Sequence, residues 1–190
     1  MEKIILASNS PRRKEILASY GVDFEIISRN IDEKKDFYLS SPSTAMSIAY
    51  LKGRAVADDY PNRTVLSCDT IVECNGKILG KPVDENDAKR MLNIMSDSIQ
   101  HVITGFSILN VNAGYKITDY CDTLIKFKKI SDYEISSYIK TGDYKDKAGG
   151  YGIQSGAYDF VEMYEGDIEN VIGFPALKIL SYLRNGEQFE

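Results

Sequence analysis

The chain has 190 residues and a net charge of −5, with 43% hydrophobic residues, 27% charged residues and a single histidine. The acidic balance excludes a general nucleic-acid binder, no apolar run approaches the roughly 20 residues of a membrane span, and one histidine excludes a multi-histidine metal centre and weakens any Ser-His-Asp arrangement. The length suits one domain, of one lobe or two, with enough apolar chain to bury a sizeable core.

Residues 3–7 read as a buried strand. The apolar run Ile4-Ile5-Leu6-Ala7 is too short for the core of a signal peptide, so a cytoplasmic location is expected. Ser10-Pro11 gives a helix cap with proline at the first helical position; the helix runs to about Tyr20 and stops at Gly21. Residues 24–28 read as a second strand. Ser41-Pro42 repeats the capping logic and opens a helix to Asp59, with Ile48, Leu51 and Ala55 on one face. Residues 64–74 form a strand, Asn75-Gly76 a two-residue type I′ turn, and 77–80 the returning strand. Asp84 caps a helix to Met95. Strands follow over 102–112 and 115–128, joined through Asn112, Ala113 and Gly114, with His101 just ahead of the first as a packing residue. Ser131 and Glu134 make a capping box for a helix to about Lys140. Residues 149–162 are glycine-rich and then extended, and 175–184 close the chain as a helix. Strands and helices mix without strict alternation, which predicts an α/β or α+β fold on a mixed sheet. Cys68 and Cys74 lie in strand-like runs, where free cysteine is a small hydrophobe. With Cys121 they make an odd number without metal spacing, as expected in a reducing compartment.

Four groups could carry chemistry. Ser8 to Glu15 sits between a buried strand and a helix N-terminus, whose free N–H groups favour anions. Arg12 and Arg13 occupy the first helical turn, where cations oppose the helix dipole by roughly 0.3–1 kcal/mol each. Phosphate would compensate them and fits the guanidinium fork; a solvated basic turn is the competing reading. Asp69 follows the apolar run 64–68, and burying a carboxylate unpaired is costly. It either faces the crevice where α/β ligands sit or caps a turn. Counting back from Asn75-Gly76, Cys74 pairs with Lys77 and Thr70 with Lys81. Lys81 is then one step from Asp69, though an ideal ladder puts the two on opposite faces. Gly149 to Gly156 could let backbone approach a ligand closely, with Gln154 offering its amide to a base edge, or it is a bulged strand. It matches neither the Rossmann fingerprint nor Walker A. Asp32 and Glu33, with Asp69, could hold a hard cation such as Mg²⁺, or form an acidic loop beside Lys34 and Lys35.

Several segments together resemble the Maf family, the septum-formation inhibitor-like nucleotide pyrophosphatases. They are Leu6 through Glu15, Lys52, Cys68-Asp69-Thr70, Gly80-Lys81-Pro82, His101 with Thr104-Gly105, Asp122-Thr123, Lys147 through Gln154, and Asn170 through Pro175. The resemblance spans most of the chain. It implies cleavage of the α–β phosphoanhydride bond of a nucleoside triphosphate, giving a monophosphate and pyrophosphate. It also implies a divalent cation (Mg²⁺ or Mn²⁺), a single Maf-like domain over 1–190 and often a homodimer. The implied fold is like that of the inosine triphosphatases: an elongated mixed sheet flanked by helices, in two lobes around a cleft. Pro-Arg-Arg, Asp-Thr and Ile-Gln resemble the dTTP/UTP pyrophosphatase subgroup. On that basis Asp69 is the expected base, and Lys81 and Lys52 neutralise developing charge. Ser8, Arg12 and Arg13 bind the phosphates, Thr70 and Gln154 with Arg12 select the base, and Glu33 helps hold the cation. Ser67-Cys68 and Gly150 depart from the commoner Gly-Ala and alanine. A non-catalytic nucleotide-binding regulator of cell division is the alternative, and a phosphatase removing only terminal phosphate is a third reading. No glutamate-rich helix of the Nudix kind is present.

Overall fold

The computed structural model describes residues 3–32 and 40–186. Among them are seven strands and six α-helices. In chain order they are β1 (Ile4–Leu6), α1 (Pro11–Ser19), β2 (Phe24–Ile26), α2 (Ser41–Ala57), β3 (Val65–Cys74), β4 (Lys77–Leu79) and α3 (Glu85–Met95). Then come β5 (Ile99–Asn110), β6 (Tyr115–Phe127), α4 (Asp132–Lys140), β7 (Val161–Glu165), α5 (Ile168–Ile172) and α6 (Ala176–Gly186). The sheet runs β2-β1-β3-β5-β6-β7, with β4 on β3. It is mixed: β1 pairs in parallel with β2 and β3, while β3–β4 and β6–β7 are antiparallel. The expected mixed α/β architecture is therefore what the chain adopts. No helix among the described residues is long and apolar enough to cross a membrane.

The chain divides into two compact units. The first comprises Met1–Asp69, Thr104–Cys121 and Gly173–Glu190, the second Thr70–Ile103 and Asp122–Ile172. In the first, the three residues of β1 are buried on both faces, as expected of a strand between parallel neighbours. The helix α2 lies very close to the sheet. A Cβ on Gly105 of β5 would stand 2.3 Å from the Ala45 carbonyl carbon, and one on Gly53 would stand 2.6 Å from Ser67 Oγ. Ser67 Oγ donates to the Ala49 carbonyl at 2.7 Å. At these two crossings the approach leaves room only for glycine, and the buried face of α2 is turned away from the predicted one: Leu51 is exposed and Ala55 only half-buried. Ile48 is buried, but Leu51 is 45% exposed, and the inward face is Ala45, Ile48, Ala49, Gly53 and Val56. Gly105→Ala should therefore cost about 3 kcal/mol, the upper range for overpacking, because main chain is what the new methyl meets. Urea denaturation reads the loss. An unchanged midpoint would mean that α2 is not seated this close.

Two caps differ from expectation. Ser40, not Ser41, caps α2, its side chain accepting from Ser43 N–H, and Ser41 is already helical. Ser10 makes no side-chain cap on α1, although Pro11 does open that helix; the Ser10 N–H instead donates to Ser8 Oγ at 3.3 Å.

In the second unit, Asn75 and Gly76 take φ of 52° and 70°, the positive values a type I′ turn requires, and Cys74 pairs with Lys77 as expected. The helix α3 packs on α4. Asp84 caps α3, and Ser131 with Glu134 forms the expected capping box on α4. The core centres on Phe127, edge-on to Tyr151 and Phe160 at 5.0 and 6.0 Å between ring centroids. Turning Ala157 and Phe160 into that core requires 3₁₀ geometry over Gly156–Phe160, where extended chain was expected; the strand comes later, as β7. The short helix α5 was not anticipated. The strand β5 begins at Ile99, so His101 lies inside it rather than ahead of it, with Nδ1 2.8 Å from Asp122 Oδ2.

Candidate functional site

Asp69 is the fifth of ten residues in β3 and only 8% exposed. A position inside a central strand excludes the turn-capping reading. Burial of a carboxylate demands a partner, and α2 provides it: Lys52 Nζ stands 2.6 Å from Asp69 Oδ1. Lys52 follows Ala49 by three residues on the side of α2 that meets the sheet. The close seating of that helix on Gly105 and Ser67 is what lets its ammonium reach the carboxylate.

Arg13 ties the segment before α1 to the same strand. Its Nη1 donates to the Cys68 carbonyl at 2.7 Å and to Ser8 Oγ at 3.2 Å, and its Nε to the Gly173 carbonyl at 2.9 Å. Ser8 itself is buried. One guanidinium thus spans the Ser8 segment, the residue preceding Asp69 and the approach to α6. The opposition between Arg13 and the helix dipole is offset in part by protein carbonyls, not by an external anion alone. Arg12, half-buried one residue earlier, still opposes the helix dipole in the first turn of α1, where a phosphate would compensate it. Ser8, Arg13, Lys52 and Asp69 are brought together in the first unit. The two backbone carbonyls had no side-chain signal by which the sequence could have announced them. The Cys68 thiol is pushed up to about 11 by burial and by Asp69, against the pull of Arg13 and Lys52, so it stays neutral beside the carboxylate.

Thr70, Lys81 and Gln154 belong to the second unit. Thr70 is half-buried, and Lys81 and Gln154 are exposed. The expected pairing of Thr70 with Lys81 is not part of the ladder, whose register covers Val72↔Leu79, Glu73↔Ile78 and Cys74↔Lys77. The strand end is diverted because the Gly80 carbonyl accepts from Gly149 N–H at 2.9 Å. That bond joins the segment holding Lys81 to the glycine-rich segment holding Gln154. Glu33 lies outside the described residues. Among the described residues no three His, Cys, Asp or Glu side chains are grouped to ligate a metal ion; Asp32 is exposed, and Asp69 is paired with the Lys52 ammonium.

Residues 3–186 match the family described as Maf-like protein. The chain is 45% identical over 189 residues to a dTTP/UTP pyrophosphatase of Alkaliphilus oremlandii (strain OhILAs), covering 97% of this chain and 96% of that one. It is 41% identical over 191 residues to a dTTP/UTP pyrophosphatase of Pyrococcus furiosus, covering 100% and 98%. Among solved structures it is similar in fold to a HAM1 protein from Coxiella burnetii, with a TM-score of 0.57 and 15% identity over 98% of this chain and 100% of that one.

Proposed function

The chain belongs to the Maf-like protein family, and on that premise we propose that it is a nucleoside triphosphate pyrophosphatase hydrolysing dTTP and UTP. The observation that carries the reading is the buried Asp69–Lys52 pair, joined through Arg13 to Ser8. In this reading water attacks the α-phosphorus. A P–O bond forms, the bridging α–β P–O bond breaks, and pyrophosphate leaves. Asp69 takes the proton of the attacking water through the oxygen not held by Lys52. Ser8 and Arg12, with the N–H groups that open α1, bind phosphate oxygens. Arg13 binds them through the frame it holds, and Lys52 and Lys81 offset the charge that develops. Thr70 and Gln154 select the base.

A Mg²⁺ or Mn²⁺ ion belongs to the proposal as part of the metal–triphosphate substrate, with Glu33 the proposed protein contribution to holding it. The described residues form no cluster that would carry such an ion alone. A cytoplasmic location, a homodimer and action on free nucleotides complete the reading.

Incubation with each natural triphosphate, followed by separation of products, tests it. Monophosphate and pyrophosphate should form in equal amounts, fastest from dTTP and UTP. Chelation should stop the reaction and Mg²⁺ restore it. Orthophosphate as the only phosphate product would refute the bond assignment, and binding of dTTP without turnover would favour the regulator.

A further inference from the structure

The glycine-rich segment that carries Gln154 is held by a polar cluster apart from Asp69 and Lys52. Tyr138, buried on α4, donates its hydroxyl proton to Asp143 Oδ2 at 3.0 Å, and the Tyr138 hydroxyl oxygen accepts from Gly152 N–H at 3.0 Å. Lys147 Nζ donates to Asp143 Oδ1 at 2.9 Å and also to the Asp143 carbonyl. Ser155 Oγ donates to Asp143 Oδ2, and is 3.1 Å from the Gly152 carbonyl. The cluster is tightly closed. A Cβ on Gly152 would lie 2.7 Å from Lys147 Cε and 2.9 Å from both Asp143 Oδ2 and Ser155 Oγ. Burial pushes the Asp143 carboxyl up, but its Ser155, Lys147 and Tyr138 donors outweigh that and leave it below the ordinary carboxylate range. It is a fixed anion at neutral pH.

Gln154 lies between two members of this cluster, Gly152 and Ser155, while its own side chain is exposed. A carboxamide presents an acceptor oxygen beside a donor NH2. Thymine and uracil present an acceptor O4 beside a donor N3–H, and cytosine presents the reverse pattern. An amide free to turn over and to shift can satisfy either, and discrimination needs its approach to the base fixed, which begins with the backbone that carries it.

We propose that Tyr138, Asp143, Lys147 and Ser155 form a clamp that positions Gln154, making them specificity-determining positioning residues for the pyrimidine base. This inference rests on the reading of Gln154 as a base-selecting residue. The clamp acts through Gln154 and touches neither phosphate nor water. Its loss therefore falls on KM and on the preference between bases, more than on kcat.

The test compares kcat and KM for dTTP and dCTP in four enzymes: the parent, Tyr138→Phe, Gln154→Ala and the double variant. Tyr138→Phe removes both hydroxyl bonds and keeps the ring against Phe160, 5.5 Å away. It should lower the dTTP/dCTP ratio of kcat/KM about tenfold, the scale of a lost hydrogen bond, mainly through KM. The double variant should discriminate no worse than Gln154→Ala alone, since effects that run through one group do not add. Ser155→Ala, at an exposed position, should shift the ratio in the same direction, and Ser155→Thr, which keeps the hydroxyl, should restore it. An unchanged ratio in both Tyr138→Phe and Ser155→Ala, with Gln154→Ala impaired, overturns the clamp and leaves the base reading standing. An unchanged ratio in Gln154→Ala overturns the base reading, and the clamp with it.

Discussion

Asp69→Asn should lower pyrophosphate release from dTTP about 10³-fold, within the range a positioned general base supplies, and should leave the protein folded and able to bind dTTP. The substitution is nearly isosteric. Asparagine Oδ1 can still accept from Lys52, whose Nζ lies 2.6 Å from the aspartate oxygen, so the pair keeps its geometry and loses its basicity. Binding of dTTP should be equal or tighter, because one negative charge is removed from the neighbourhood of the phosphates. A single-turnover assay with saturating dTTP, run beside an equilibrium binding titration, separates the two effects. Near-normal turnover would remove Asp69 from the proton-transfer step. A loss confined to KM would instead make it a binding residue.

Much of this architecture is written in local chemistry. The Asn75-Gly76 turn, the Asp84 cap and the Ser131–Glu134 box each depend on residues within four positions of one another, and each stands where its residues predict. The errors arise where distant chain decides. Leu51 has the right spacing for a core face, yet Gly105, 54 positions on, lets β5 meet the Ala45 backbone of α2 so closely that the helix turns Ala45, Ile48 and Ala49 inward and leaves Leu51 exposed. Residues 156–160 read as extended, but Phe160 is drawn into the ring cluster around Phe127. The candidate site divides the same way. Ser8, Lys52 and Asp69 are legible as residue types, and the structure joins them. The backbone carbonyls of Cys68 and Gly173, which hold Arg13, leave no mark in a sequence. Arg13 consequently reads as a surplus cation, when much of its hydrogen bonding is internal. The Asp143–Lys147 pair, by contrast, carries an i,i+4 spacing that is visible in the sequence.

Lys52→Met should unfold more easily by about 2–3 kcal/mol, and the reason separates the two roles open to Lys52. Removing one partner of a buried ion pair costs about 3–5 kcal/mol, because the remaining charge is left without compensation. Here the side chains of Lys52 and Asp69 are 19% and 12% exposed, so water takes up part of that cost and the lower figure applies. Methionine keeps most of the stem volume, so little of the loss comes from packing. The reverse change, Asp69→Asn, should cost less, since lysine is long enough to turn its ammonium toward solvent. The double variant Lys52→Met with Asp69→Asn should recover most of the stability lost by Lys52→Met. A cycle of urea denaturation midpoints at constant m-value should give about 2 kcal/mol of coupling. Activity should not recover, because both the base and its partner are gone. If Lys52→Met unfolds like the parent, the pair does not hold the carboxylate. Lys52 would then serve only the phosphate charge, and its substitution would raise KM for dTTP without touching stability. Stability that returns in the double variant while turnover stays lost would identify the lysine as the group that makes a buried base tolerable on this strand.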